Sequence, residues 1–333
     1  MTKKERIQAA IRGEKPDKMP YSFWTHMPGT DLDPEAISQK TYEFYKKYDF
    51  DFVKTMNNGM YAIEDFGCTV DYSEIVKGGV AKVVSTPISC AADWRKLTVC
   101  PCTQGSNARE LRHLQLVLEK LKGEEVPVIF TAFTPITIAD KISGGKLISY
   151  IEEGHGDDVK AAREGHGEDV KAALEVITET TAQLVAAAID MGADGIFLAS
   201  QMSSYDKCTD RQYLEYGKPY DLRVLEAAGK GWMNTIHCHG DHIMFHILKD
   251  YPVQVARLGI PARPGRGLCP HRQVPHGRPE PDRHHPAEPG RHPEPDLPVL
   301  QAPGRTASDP HPGLRHPLPP GRRHALLYRD DSK

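Results

Sequence analysis

The sequence predicts an α/β fold, a (β/α)8 barrel of the TIM type that is interrupted after about six strands. Three observations predict it. Short apolar segments alternate with longer amphipathic ones, the pattern of parallel strands joined by helical crossovers. No glycine-rich turn follows the first strand, which disfavours an open dinucleotide-binding sheet. The alternation then stops near Val255, whereas a barrel needs about eight strands to close.

Each element has a local reason. Lys4–Gly13 carries apolar Ile7, Ala10 and Ile11, with Gly13 as a stop and Pro16 beyond it, and reads as a short helix. Met19–Trp24 reads as a first strand. Asp33 can cap a helix that starts at Pro34, where proline is tolerated, and runs to Tyr48. Phe50–Met56 reads as the second strand, Val80–Val84 as a hairpin arm, and Ser106 as the cap of a helix to Leu121. Val126–Phe130 is the third strand, Leu147–Asp190 is largely helical, and Ala193–Ala199 is the fourth. Asp210–Gly229 is helical, Trp232–His237 is the fifth strand, Asp241–Lys249 a helix and Pro252–Val255 the sixth strand.

Two irregularities interrupt this order. Glu153–Arg163 is repeated at once as Glu164–Leu174, with nine of 11 positions identical. A single extra copy of that length is too short for a solenoid and reads as a local duplication at a helix start, although its His-Gly pairs are also conceivable metal ligands. The second irregularity is the tail. The 333 residues hold 27 prolines, of which 17 fall in the last 78 positions, and Pro, Arg and His together supply 37 of those 78. Lys333 is its one lysine. Proline at this density stops helix and strand alike. A disordered tail, a histidine-rich metal tract and a shifted reading frame compete, and the abrupt loss of Lys, Asn, Ile and Phe codons favours the shifted frame. The chain therefore divides into an incomplete barrel domain, 1–255, and a low-complexity tail, 256–333.

Charge divides the same way, −8 in the body and +5 in the tail for a total of −3. The body has no basic face with interleaved aromatics, so no nucleic-acid partner is expected. The seven cysteines read as free thiols of a reducing compartment. No signal-peptide core or membrane span is recognised, so a cytoplasmic protein is expected.

Barrel chemistry sits at the C-terminal ends of strands. His26 follows the first strand, Lys54 to Gly59 the second, Thr131 to Pro135 the third, Gln201 to Asp206 the fourth and His237 to Asp241 the fifth. His237 and His239 lie two residues apart, so their imidazoles share one face of a strand, as half of a zinc site would. His26, Asp206 or Cys208 are candidates to complete it, while Cys238 points the other way. The bland alternative is a pair of substrate-bonding or capping histidines. His242 and His246 share a helix face without a zincin glutamate. Cys100 and Cys102 read as ordinary thiols, Lys54 as a structural or anion-binding lysine, and Asn57-Asn58-Gly59 as a turn.

Thr2–Arg6 through Gly13–Pro20, Phe50–Lys54, Gly192–Leu198 and Ile236–Gly240, in that order and spacing, resemble uroporphyrinogen decarboxylase superfamily proteins. The resemblance covers about residues 1–255. It implies a (β/α)8 barrel with a deep strand-end cleft, and either porphyrinogen decarboxylation, which uses no cofactor, or corrinoid-dependent methyl transfer with zinc and a corrinoid protein partner. A tetrapyrrole or corrinoid substrate and a homodimer are expected with it; a non-catalytic tetrapyrrole-binding or inactive product is the remaining reading. Asn58 and Gln201, by resemblance, and His26 and Asp206, by their places at strand ends, are substrate-binding candidates, and His237 and His239 metal-binding ones. The departures are specific. Phe23–Gly29 lacks the arginines that hold substrate carboxylates. Asn58 stands at the catalytic aspartate, Asp140 or Lys141 near the family's tyrosine, Gln201 near its serine, and His239 where the methyltransferases have a second, cysteine ligand.

Overall fold

In the computed structural model the described residues are 1–75, 80–152 and 166–258. The first part of the duplication, residues 153–165, and the tail beyond Leu258 lie outside them.

Helix α1 (Lys3–Ile11) opens on a capping box in which Thr2 and Glu5 exchange side-chain and backbone bonds. Its Arg6 is buried and binds Asp17 through Nε (2.6 Å) and Asp51 through Nη1. Helix α2 (Pro34–Tyr48) has the expected Asp33 cap, whose Oδ1 accepts from Glu35 N and Ala36 N at 3.0 Å. It stops at Asp49, which takes a left-handed conformation (φ 52°).

The segment read as a first strand, Met19–Trp24, is extended but belongs to no ladder. Pro20 removes one backbone donor. The segment is tied instead through Tyr21 N to Asp51 Oδ2 and Ser22 Oγ to Phe52 O, with a single backbone bond from Asp51 N to Tyr21 O. The predicted second strand is only β1 (Val53–Lys54), followed by the short α3 (Tyr61–Glu64). Strands β2 (Thr69–Asp71) and β3 (Lys82–Ser85) form the expected hairpin as an antiparallel pair.

Ser106 is not the cap of α4 (Gly105–Lys120). The carboxylate of Asp65 does that work, accepting from Ser106 N at 2.8 Å and Asn107 N at 2.9 Å. Gly105 is required there, because its φ is +61° and a Cβ would stand 2.0 Å from Asp65 Oδ1. Ser106 Oγ is spent on Tyr61 O at 2.6 Å. Next come β4 (Val128–Phe133), α5 (Pro135–Ile142), α6 (Leu147–Glu152), the long α7 (His166–Met191) and β5 (Gly195–Ser200). By length and composition α7 could cross a membrane, but half of that stretch is buried within the protein. Val170, Leu174, Ile177, Val185 and Ala188 sit in the core, as on a helix packed over a sheet.

The helix expected over Asp210–Gly229 is two helices, α8 (Asp210–Tyr216) and α9 (Lys218–Ala227), broken at Gly217 before Pro219. Then follow β6 (Thr235–Cys238), α10 (Phe245–Leu248) and β7 (Val255–Leu258). His242 precedes α10, so the expected shared helix face with His246 does not form. The sixth strand lies three residues later than the sequence pattern placed it. The sheet thus continues past Val255, through residues whose composition already belongs to the tail.

The main sheet has five parallel strands in the order β1-β4-β5-β6-β7. It is a curled half barrel, with β4 and β5 buried along their whole length, α7 packed on them, and α4, α5 and α9 packed against α7.

Candidate functional site

Strand register decides which residues share the inner face. Thr131 pairs with Phe197 and Phe197 with Thr235; Ala199 pairs with His237 and His237 with Arg257. Lys54 pairs with Ile129, two residues before Thr131 on the same face. Ring contacts agree, since Phe197 stacks on His237 with centroids 5.2 Å apart at 30°.

This face collects two buried cations. Lys54 is 5% exposed, and its Nζ lies 4.5 Å from the Trp24 ring centre and 4.8 Å from that of Phe197 while donating to Thr55 O at 3.2 Å. Arg257 is 2% exposed; its Cζ is 5.7 Å from the Trp24 ring, and its Nη1 is 2.9 Å and 3.1 Å from the two ring nitrogens of His237. Aromatic faces attract cations and here replace part of their lost hydration. Trp24 Nε1 is buried without a hydrogen-bond partner, a donor available to a ligand. His26 packs edge-on against Trp24 at 5.1 Å, at the exposed end of the same segment.

The two asparagines after β1 divide their duties. Asn58 is fully engaged: its Nδ2 donates to Asp31 Oδ2 at 3.1 Å, and its Oδ1 accepts from Met60 N at 2.8 Å, with the Tyr72 hydroxyl 3.1 Å away. Tyr72 lies closer to Glu64 Oε1, at 2.6 Å, and Arg109 joins Glu64 at 2.9 Å. Asn57, by contrast, is 6% exposed and neither of its amide atoms has a partner. Such a group costs stability unless something else binds it. Asp31 also has one buried oxygen, Oδ1, without a partner, and burial pushes its pKa up. The sequence pattern places Asn57 in a turn and gives Asp31 no distinguishing feature. The only signal was that adjacent residues in an extended segment face opposite ways.

The remaining candidates scatter. Gln201 is half-buried, and its backbone N–H donates to Thr137 Oγ1 at 3.0 Å. Asp206 lies outside the inner face, in a clamp between the loops after β5 and β6: it meets His242 Nδ1 at 2.6 Å and Ser204 Oγ at 2.9 Å. The hydrogen bond from His242, helped by Ser204, lowers its pKa to about 2, and the same contact raises that of His242. His246 pairs with a different carboxylate, Asp210, at 3.2 Å. Ser203 Oγ is buried and unpartnered in the same loop. Cys100 donates to Asp65 O at 3.3 Å, and burial raises its thiol to about 11, so it is protonated and structural.

His239 follows β6, with its ring centroid 6.0 Å from that of His237. Cys238 points to the other face, 1% exposed, its thiol raised to about 12 by burial. Zinc needs three or four ligands. Among the described residues no group of three or more His, Cys, Asp and Glu converges, and the Arg257 guanidinium donates to the acceptor nitrogen of His237. Among the described residues His237 and His239 thus supply at most two of the ligands that a zinc ion needs.

A parallel half barrel whose strand ends carry buried cations, aromatic rings and unpartnered amides marks an α/β-barrel fold with a candidate site at its strand ends. The chain belongs to the uroporphyrinogen decarboxylase (URO-D) family, whose model matches residues 2–260. It is similar to the methylcobamide:CoM methyltransferase MtbA of Methanosarcina acetivorans, 22% identical over 239 residues that cover 68% of this chain and 66% of the relative. It is also similar to uroporphyrinogen decarboxylase of Corynebacterium glutamicum, 23% identical over 208 residues, 61% of this chain and 53% of the relative. The chain thus spans just under two thirds of the first relative's length and about half of the second's. Among solved structures, a methyltransferase from Methanosarcina mazei shares the fold with a TM-score of 0.61 at 18% identity, over 77% of this chain and 75% of the other.

Proposed function

We propose that the chain is an enzyme of the URO-D family that binds a flat, carboxylate-bearing substrate in its strand-end cleft, and that its reaction is decarboxylation of an acetate side chain of a tetrapyrrole. The observation that carries this reading is the buried Lys54 ammonium between the Trp24 and Phe197 rings. A cation in a low-dielectric site pairs strongly with a carboxylate, and ring faces hold a planar conjugated partner. Lys54 thereby takes over the duty that arginines perform in the loop after the first strand of the decarboxylases. The Asn57 amide, with its oxygen and nitrogen unspent, is placed to accept from a pyrrole N–H or donate to a carboxylate.

In the step itself the carbon–carbon bond to the carboxylate breaks. Carbon dioxide leaves, and the bonding pair remains on the side-chain carbon until a proton replaces it. Stabilising that charge is electrostatic work. A carboxylate would repel that pair; what Asp31, held by Asn58, can stabilise is the positive charge of a pyrrole ring protonated before the bond breaks, which draws the pair inward.

A second reading, methyl transfer to a thiol, draws support from the shared inner face of His237 and His239 and from the methyltransferase relatives. One pair of assays separates the two. The purified chain is incubated with uroporphyrinogen and its products resolved by carboxylate number, and in parallel with methylcobalamin and a small thiol. Decarboxylated product that disappears in Lys54→Met supports the first reading. Thiol methylation with no porphyrinogen turnover overturns it.

A further inference from the structure

A second groove adjoins the loop after β1, through the contact of Lys141 with Gly59. It is a groove of about 460 Å³ lined by Met60, Ile63, Val83, Val84, Asp140 and Lys141, among others. Four of its lining side chains, Met60, Ile63, Val83 and Val84, are apolar. Two valines of the β3 arm, Val83 and Val84, are 40% and 65% exposed, so the hairpin turns hydrophobic surface outward next to an amine. That amine is Lys141, near the end of α5. Its Nζ donates to Gly59 O at a long 3.3 Å and lies 4.5 Å from the centre of the Phe133 ring. Among the described residues it makes no ion pair within 4 Å.

We infer that Lys141 is a reactive amine that forms a reversible imine with an aldehyde or ketone whose apolar chain lies along Val83, Val84, Met60 and Ile63. The nucleophile must be the neutral amine. Burial drives Lys141 down to about 8, with Asp140 opposing that shift. Asp140 is the one carboxylate lining the groove; the other lining groups, Ser85 and Thr86 included, are uncharged. At pH 7.5 a quarter of such amines are neutral, against about one in a thousand for an exposed lysine. Lower basicity weakens each neutral amine as a nucleophile, so the net gain is roughly tenfold rather than hundredfold.

The step balances without a further reagent. The Lys141 nitrogen attacks the carbonyl carbon, the π pair moves to oxygen, and a proton passes from nitrogen to that oxygen to give a carbinolamine. Loss of water then forms the carbon–nitrogen double bond. Asp140, whose pKa is raised by burial, is the adjacent group able to hand a proton to the departing hydroxyl and take one from nitrogen. This chemistry belongs to the groove and does not depend on the decarboxylase reading.

The test uses the unmodified full chain. Hexanal is added at pH 7.5 with cyanoborohydride to trap any imine, and modified lysines are located by peptide mass mapping over time. Lys141 is expected to be trapped roughly ten times faster than the exposed Lys122, Lys146 and Lys249. Its rate should rise with a midpoint near pH 8, and hexanal should outpace formaldehyde at this position relative to the exposed lysines. Lys141→Arg should lose the fast site with an unchanged thermal melt. A rate at Lys141 equal to or below that of the exposed lysines overturns the proposal, as does a midpoint near that of ordinary lysines. Because the reading comes from the wild-type chain, a variant that fails to fold does not spoil it.

Discussion

Asn58 Nδ2 donates to Asp31 Oδ2 across 3.1 Å, both side chains being more than nine-tenths buried. The bond turns the position expected to contact substrate into a scaffold for a carboxylate supplied by the loop before α2. The neighbouring Asn57 is left with its amide unspent.

The two asparagines should therefore respond in opposite ways. Asn58→Ala strips Asp31 of its donor and Met60 N of its acceptor, and should cost about 2–3 kcal/mol of stability. Asn57→Ala removes no internal bond and should change stability by less than about 1 kcal/mol while weakening substrate binding. Urea unfolding of both variants checks this; a larger loss for Asn57→Ala would reverse the assignment.

Lys54→Met keeps the volume of the side chain and removes its charge. Loss of a charge-assisted bond to a carboxylate is worth about 1.5–3 kcal/mol, or roughly 10- to 150-fold in affinity. The variant should bind uroporphyrin, the oxidised form of the substrate, that much more weakly by fluorescence titration. Its melting temperature should not fall by more than a few degrees.

Asp221 gives the fold a pH dependence. It lies on α9 and is fully buried, with Tyr213 and Tyr251 both donating to Oδ2 at 2.7 and 2.8 Å and Oδ1 unpartnered. Desolvation raises its pKa to about 7 despite those two bonds. A carboxyl with a raised folded pKa holds its proton in the native state after the unfolded chain has lost it. Stability therefore falls as pH rises from about 4 to about 7, by some 4 kcal/mol for a shift of this size, and levels off above. Asp221→Asn should flatten that slope. Denaturant midpoints of both proteins at pH 5 and pH 7.5 decide it.

The clamp between His242 and Asp206 is exposed and acts through charge. His242 has a raised pKa because Asp206 accepts its bond, so the charged pair persists at low pH until Asp206 protonates and weakens as pH rises past the histidine's pKa. Imidazole proton shifts should show a His242 midpoint above the ordinary histidine value. In Asp206→Asn that midpoint should return to it.

Much of this was legible in the chain. The Asp33 cap, the hairpin at Val80–Val84 and the strand at Ala193–Ala199 follow from local rules of capping and apolar run length. The motifs from Thr2 to Gly240 identified the family. Errors arose where distant groups replaced local ones. Asp65 caps α4 in place of Ser106, Asp51 holds the Tyr21 segment without a ladder, and Gly217 splits a helix whose periodicity reads as continuous. The roles of site residues depend on distant partners for the same reason. Asp206, at a strand end, is spent on a surface clamp, while Asn57 and Asp31 gave no local sign of their unspent atoms.

The sequence by itself determined an alternating α/β body, a compositional break at its end and a lysine at the close of β1. Those are properties of neighbouring residues, read through periodicity and propensity. Only the tertiary structure decided that Lys54 lies between Trp24 and Phe197, that Arg257 faces His237 and that Asn58 is bound to Asp31. Pairing across strands and burial of specific atoms depend on register and packing between segments tens to hundreds of residues apart, and no local pattern encodes which polar atoms remain unpaired once the core has closed.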